Sequence, residues 1–423
     1  MKLSLIAFMQ PTVDTEVAPQ RIEVASLSER FELAPAPLPP NGPGQPFGDA
    51  GQTSRLDAAL GDPLGVTWVQ RFATPLRADT RAHSLLQFGT ALIVQASVWQ
   101  LFGLDGKARR AGRSGSSPLL ISPGDRSFRW VNSDGYLVSA PLSTGEAFWS
   151  YGLQLGDGAS YPFVAARENR MFVLGGELAG NPEAHPRPAT HFALQAIDLV
   201  PPFEVSPAGN LRSAHTLGAL TVEFSGDVVG ALNHDGVVIA WRDHVLTVGL
   251  DLVPGRLLTD SFVPRALSVG EAGRVYLVVR TSEGPRLWML NAEGQRVFSA
   301  PLPDDAADTR VPPVVARDHR VFVVTDTRIV AFSPTGDRLW EFEPPHGRPR
   351  AMVTADGWLL VAAGETLGVF DAEGRSATLF HAPGEVFRTA PIVTPAGEIM
   401  VATERSLICI GPALEVFEST LIR

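Results

Sequence analysis

Polar side chains able to touch a ligand collect at short breaks between apolar runs: Asn132, Ser133 and Asp134; His234 and Asp235; Arg280; Asp326 and Arg328; Arg348 and Arg350; Glu404 and Arg405. A guanidinium presents five N–H donors in a planar fork, so a rim that mixes Arg with Asp, Glu and Asn suits multidentate recognition of a polar partner. The same residue types also make an ordinary solvated loop surface, and both readings stay open.

Other chemistry is poorly supplied. His185 and His191 flank a proline-stiffened stretch and could meet at a metal only with a further ligand such as Glu183, which the spacing does not demand. Asp304, Asp305 and Asp308 lack the glycine turn and the twelfth-position Glu of an EF-hand, and read as a solvated loop. Around Gly42-Pro-Gly44 there is no preceding strand, no helix able to pass Pro43 and Pro46, and no closing Lys-Ser/Thr, which excludes a phosphate loop. Neither a Gly-x-Ser-x-Gly elbow nor His-Glu-x-x-His occurs. A single cysteine, Cys409, excludes an intramolecular disulfide and a Cys-rich metal site, and its apolar run Leu407–Ile410 reads as a buried strand. No catalytic, cofactor-binding or metal-binding residue is assigned, and no cofactor is expected.

The elements that position these residues are short strands. The 423 residues are 45% hydrophobic and 19% charged, with 40 Gly and 35 Pro, which describes ample core material cut into short pieces by turns. From about Gly65 onward, runs such as Ala91–Gln95, Tyr136–Ala140, Arg170–Leu174, Arg274–Val279, Arg320–Val324, Trp358–Ala362 and Glu398–Ala402 alternate with Gly, Asp, Pro or Asn. No 3.6-period segment of ten or more residues interrupts them. Several runs are apolar throughout rather than alternating, so both faces of the strand are covered, as in a radial stack of sheets and unlike a two-sheet sandwich.

Repetition sharpens this expectation. Leu104-Asp-Gly106, Ser143-Thr-Gly145, Asn291-Ala-Glu-Gly294, Ser333-Pro-Thr-Gly336 and Asp371-Ala-Glu-Gly374 are recurring turns, with weaker equivalents near Asp198, Asp243 and Pro412. Their spacing of about 44 residues fits four short strands with loops. Each unit reads as strands A, B and C, a glycine turn, and strand D. The predicted fold is all-β: a β-propeller of four-stranded antiparallel blades, eight in number, with seven as the alternative because residues 160 to 250 are irregular. The D–A and B–C loops of such a ring leave one face, and the candidate polar residues are assigned to them; the glycine turns leave the other. Val66–Phe72 reads as an outer strand that could pair into the last blade and close the ring. Residues 1–62 read as an extension ending in the Pro/Gly-rich linker Ala34 to Pro46, and 63–423 as the propeller.

Two phrases carry a family resemblance. Tyr136-Leu-Val-Ser-Ala-Pro-Leu-Ser-Thr-Gly-Glu-Ala-Phe-Trp149 and Ile329-Val-Ala-Phe-Ser-Pro-Thr-Gly-Asp-Arg-Leu-Trp340 resemble the repeat of pyrroloquinoline-quinone-type (PQQ-like) β-propellers, with a Thr-Gly turn and a tryptophan four residues after the glycine. The resemblance implies that Trp149 and Trp340 dock neighbouring blades; Phe298 stands in that place after Gly294. Quinone enzymes of this kind are similar in using an adjacent cysteine pair and a calcium site, which this sequence does not supply. Members without cofactor, such as the bacterial outer-membrane barrel-assembly lipoprotein, are similar in being binding scaffolds.

A formal charge of −10, from 35 basic and 45 acidic residues, argues against a general nucleic-acid or anionic-lipid binder. No apolar stretch approaches 18 residues, so no transmembrane helix is expected. Leu3–Met9 is a short apolar run that meets Gln10, Pro11, Asp14 and Glu16 without a small-x-small cleavage motif, and the expected location is the cytoplasm, with the periplasm or export as the alternative. The functional expectation is a non-catalytic scaffold for protein–protein interaction in a larger bacterial-type assembly, its partners unnamed. The alternative is a hydrolase or lyase acting on a sugar or polar metabolite at the axial face.

Overall fold

The computed structural model describes residues 64–412, apart from loop segments that all lie before residue 235, the longest being 177–190 and 200–213. These residues form eight four-stranded antiparallel sheets, which settles the blade number. Seven sheets take their strands in chain order, from inner A to outer D, over residues 84–113, 120–152, 160–223, 228–259, 263–301, 314–342 and 350–381. The eighth combines Ile392–Val393, Ile399–Ala402 and Ser406–Pro412 with Leu64–Arg71 from the start of the described chain. No α-helix occurs among the described residues; two single-turn 3-10 segments sit in loops.

The continuous apolar runs are explained by radial packing. Successive side chains of a strand point to opposite faces, and in the sixth blade Val321 and Val323 pack toward Tyr276, Val278 and Leu287 of the fifth, whereas Phe322 and Val324 pack toward Leu359 and Val361 of the seventh. All four are 0% exposed, so neither face can carry a polar residue. Truncating a ring of this kind, as in Phe322→Ala, costs about 3–5 kcal/mol.

Glycine turns join C to D; at Gly145 the glycine N–H donates to the Pro141 carbonyl at 2.8 Å, whereas the turns at Gly106, Gly294, Gly336 and Gly374 share one hydrogen-bond pattern. The first residue's N–H donates to the carbonyl four residues on: Gly103 to Lys107 (3.0 Å), Asn291 to Gln295 (3.0 Å), Ser333 to Asp337 (2.8 Å) and Asp371 to Arg375 (3.0 Å). The fourth blade makes the same turn from Gly249 to Val253 (2.9 Å), with Leu252 at φ +65 where the others have glycine. The turn expected near Asp243 is therefore corrected: Arg242 and Asp243 form a two-residue hairpin between strands B and C of that blade. Asp198 lies within the third blade's C strand, His191–Leu199, and the loop after it lies outside the described residues.

Four residues beyond the left-handed turn position, a strand D side chain lies on the next blade's turn. Trp340 covers Gly374, where a Cβ would stand 2.7 Å from the indole Cγ, and its Nε1 donates to the Ala372 carbonyl at 3.1 Å. Phe298 covers Gly336 in the same way. Where the sequence shows no aromatic, arginine stems fill the place, Arg256 over Gly294 and Arg110 beside Gly145. The side chain of Trp149 lies outside the described residues.

Closure joins the two ends of the described chain. Leu64–Arg71 runs antiparallel to Ser406–Pro412, from Leu64 opposite Pro412 to Arg71 opposite Ser406. Past the strand, Phe72 and Leu76 donate backbone N–H groups to the carbonyls of Arg405 and Glu404, each at 2.7 Å. Phe72 and Leu76 join one core with Leu407, Ile408 and Leu92, so a single apolar cluster crosses the seam. Residues 1–63, which include the linker, and 413–423 lie outside the described residues.

Candidate interaction face

Most of the polar residues singled out in the sequence share one face. Asn132 and Asp134 are in a B–C turn, Arg280 is the next-to-last residue of the B strand Val275–Thr281, Asp326 and Arg328 occupy the sixth blade's B–C turn, and Glu404 and Arg405 the eighth's. Arg348 lies in the D–A loop entering the seventh blade, and Arg350 begins its inner strand, Arg350–Val353. Asp235 is the exception. It joins Val228–Leu232 to Gly236–Trp241, strands A and B of the fourth blade, and so leaves the opposite face. His234 and Ser133 lie outside the described residues, as does the loop containing His185.

Each of several B–C turns opens with a residue that caps it. Asn132 Oδ1 accepts the N–H groups of Asp134 (3.0 Å) and Tyr136 (2.9 Å), which commits that amide to the turn. Thr325 Oγ1 accepts from the N–H groups of Thr327 (3.3 Å) and Arg328 (3.0 Å), and Thr403 Oγ1 from Arg405 (3.2 Å) and Ser406 (2.9 Å). These hydroxyls in turn donate to a carboxylate from the D–A loop of the same blade: Thr325 to Asp305 at 2.5 Å, and Thr403 to Glu385.

Asp305 is thus a clamp rather than the solvated loop residue expected from the sequence. Burial opposes its ionisation, but the hydroxyls of Thr325 and Thr327 and the Arg328 guanidinium outweigh that and hold its carboxyl below the ordinary value. Arg328 is itself spanned between two acids, Nε 3.5 Å from Asp305 and Nη1 2.7 Å from Glu341. Arg348 pairs with Asp326, and Arg388 with Glu404. Loop is thereby tied to loop across the face, while Arg280 and Arg405 stand exposed.

Arg350 differs from the rest. In its strand Ala351 and Val353 pack toward the sixth blade and Met352 toward the eighth; alternation puts Arg350 on the side of Met352, in the cleft between blades seven and eight. Its Nε is buried without a hydrogen-bond partner, as is that of Arg388. Burial, and then the like charges of Arg348 and Arg388, push the Arg350 guanidinium down to about 10, against the pull of Asp326. Arg388, Glu341 and Glu385 were not singled out from the sequence, and Asp305 reads there only as part of a solvated loop. A usable signal was present: Arg310, Arg348 and Arg388 each precede by six residues the residue that opens the A–B turn, namely Ala316, Thr354 and Thr394.

The opposite face carries a groove of about 440 Å³ between blades four and five, lined by Asp235, Thr247, Asp251, Arg256 and Asn291. Among the described residues no three His, Cys, Asp or Glu side chains come together as a metal site. The Cys409 thiol is buried, and that burial, with Glu398 next, pushes it up to about 12, as suits an inert core thiol.

No protein-family model matches the sequence, and no curated protein matches it. Solved structures do match. BamB from Moraxella catarrhalis aligns with a TM-score of 0.55 at 14% identity, covering 82% of this chain and 97% of that one. The chain has a PQQ-like, BamB-like propeller fold. A europium-containing methanol dehydrogenase aligns at 0.53 with 11% identity over 84% of this chain and 88% of that one, and Sqt1 from Saccharomyces cerevisiae at 0.55 with 10% identity over 81% and 98%. A ring of this kind does not by itself choose between catalysis and binding. No helix among the described residues is long and apolar enough to cross a membrane.

Proposed function

We propose that the protein is a non-catalytic propeller scaffold that holds a protein partner on the face formed by its B–C and D–A loops, within a larger assembly. The observation that carries this reading is how the charges on that face are arranged. Asp305, Glu341, Asp326 and Glu404 are each engaged with arginines, and Glu385 accepts from Thr403 and Ser406. A surface cross-tied in this way is preorganised, so a partner would bind it with little loss of side-chain freedom. Arg280 and Arg405 extend from it as exposed donors suited to a partner's carboxylates.

The test is affinity capture from the native host with the wild-type chain and with the double variant Arg280→Glu/Arg405→Glu. The proposal expects a protein retained by the wild type at low salt to be lost from the variant and from the wild type at high salt. Recovery of the chain alone as a monomer, or equal retention by both chains, would overturn it.

A further inference from the structure

We infer that the cleft between the seventh and eighth blades, bounded by Arg348, Arg350 and Arg388, binds a small oxyanion, a phosphate or carboxylate group. Of these three guanidiniums, Arg348 is paired with Asp326 and Arg388 with Glu404. The third positive charge, on Arg350, has no carboxylate of its own. Its Nε and that of Arg388 are buried donors with no acceptor.

The Arg350 guanidinium is part-buried, with its Nε sealed from water and unbonded, and a buried donor left without an acceptor is destabilising. A fold that keeps one places it where an anion can supply the missing acceptors, and the cleft offers both parts of such a site. The positive field is local: the like charges of Arg348 and Arg388 act on Arg350, and Asp326 is the carboxylate whose field reaches it. The donors are held in place, because Arg350 begins an inner strand whose next three residues are core, and Arg388 is anchored through Glu404 to the eighth blade's B–C turn. Arg350 is only partly buried, so a ligand can reach it. The oxyanion stands apart from the scaffold reading: it would bind whether or not a protein partner occupies the rim.

Calorimetric titration of the full chain with inorganic phosphate and, separately, with succinate, at ionic strength fixed by sodium chloride, tests this. Binding of either supports the site, and the stronger of the two names the group it prefers. Arg350→Met keeps the side chain's bulk and removes its charge and donors. It should weaken binding about ten- to a hundredfold, as loss of a charged hydrogen-bond donor does, while raising the thermal midpoint without ligand. Asp326→Asn, at an exposed position, should tighten binding roughly two- to fivefold by releasing Arg348. No saturable heat with either anion, or affinity unchanged in Arg350→Met, overturns the inference. Should Arg350→Met fail to fold, Arg350→Lys serves in its place; it keeps the charge without the fork and must still lose at least several-fold in affinity.

Discussion

Substitution of Gly374 by alanine isolates the contact that holds blade to blade. Gly374 sits at φ +80, and a Cβ there would lie 2.7, 2.8 and 2.9 Å from Cγ, Cδ1 and Cδ2 of Trp340. Carbon atoms pack at about 3.5–4.0 Å, so one of the two must move by most of an ångström. The indole is poorly placed to yield, since Nε1 is hydrogen-bonded to Ala372 and the ring stacks on Phe370 at 5.8 Å and 15°. The left-handed backbone costs an L-residue about 1–2 kcal/mol, and overpacking about 1–3 kcal/mol more. Gly384 provides the reference, with φ +74 and nothing within 4 Å of a Cβ, so Gly384→Ala carries the backbone cost alone. Unfolding entropy of about 2.1 cal/mol/K per residue over the roughly 280 described residues converts these costs into midpoint losses of about 3–8 °C for Gly374→Ala and about 2–3 °C for Gly384→Ala. Trp340→Ala should remove the difference, so that Gly374→Ala in that background costs no more than Gly384→Ala, an interaction readable from a double-mutant cycle. Thermal unfolding followed by circular dichroism measures all of these. Equal losses for the two glycine variants in the wild-type background would refute the docking argument.

Two aspartates should respond to pH with opposite sign. Asp305 ionises more readily folded than unfolded, so its contribution is present above the ordinary value of 3.8 and lost as pH falls through its lower folded value. Asp305→Asn should therefore lower the melting temperature at pH 7 and converge with wild type in strong acid. Asp356 is raised by burial, with the Thr354 hydroxyl opposing, so its favourable contribution is complete below 3.8 and lost as pH rises through the folded value. Asp356→Asn should raise the melting temperature at pH 7 and leave it unchanged below that range. At the fourth blade, Arg256→Phe should retain stability while Arg256→Ala loses about 1 kcal/mol, because the stem over Gly294 provides the contact; equal effects in urea unfolding would count against this.

Much of the ring was legible because its signals are local. Apolar runs too continuous for a half-wet sheet, such as Val321–Val324, and Gly turns at Gly294, Gly336 and Gly374 each report on their own few residues. The fourth blade was obscured because Leu252 occupies a left-handed position that glycine fills elsewhere, and Asp243 supplied a competing turn signal. Asp235 was assigned to the wrong face for a related reason: Asn-His-Asp-Gly marks a hairpin of any kind, and naming it A–B or B–C requires a correct strand count through the irregular third blade. The clamps were invisible as such, since Asp305 and Thr325 or Glu385 and Thr403 meet only after a blade folds back on itself. Arginine in place of an aromatic dock was missed because its alkyl stem does the packing, while its charge suggests solvent.

Trp68 lies opposite Cys409 across the seam, next to a β-bulge between Val66 and Trp68, and opposed residues of an antiparallel pair project to the same face, which brings the two side chains near one another. The variant Trp68→Cys, refolded in a glutathione redox buffer, places a second thiol against the chain's single cysteine. If Leu64–Arg71 closes the eighth blade, the two thiols join within one molecule, giving a faster-migrating monomer on a non-reducing gel and a mass-mapped link between residues 68 and 409. A folded variant that keeps both thiols free, or bridges only between molecules, would contradict the closed eight-bladed ring.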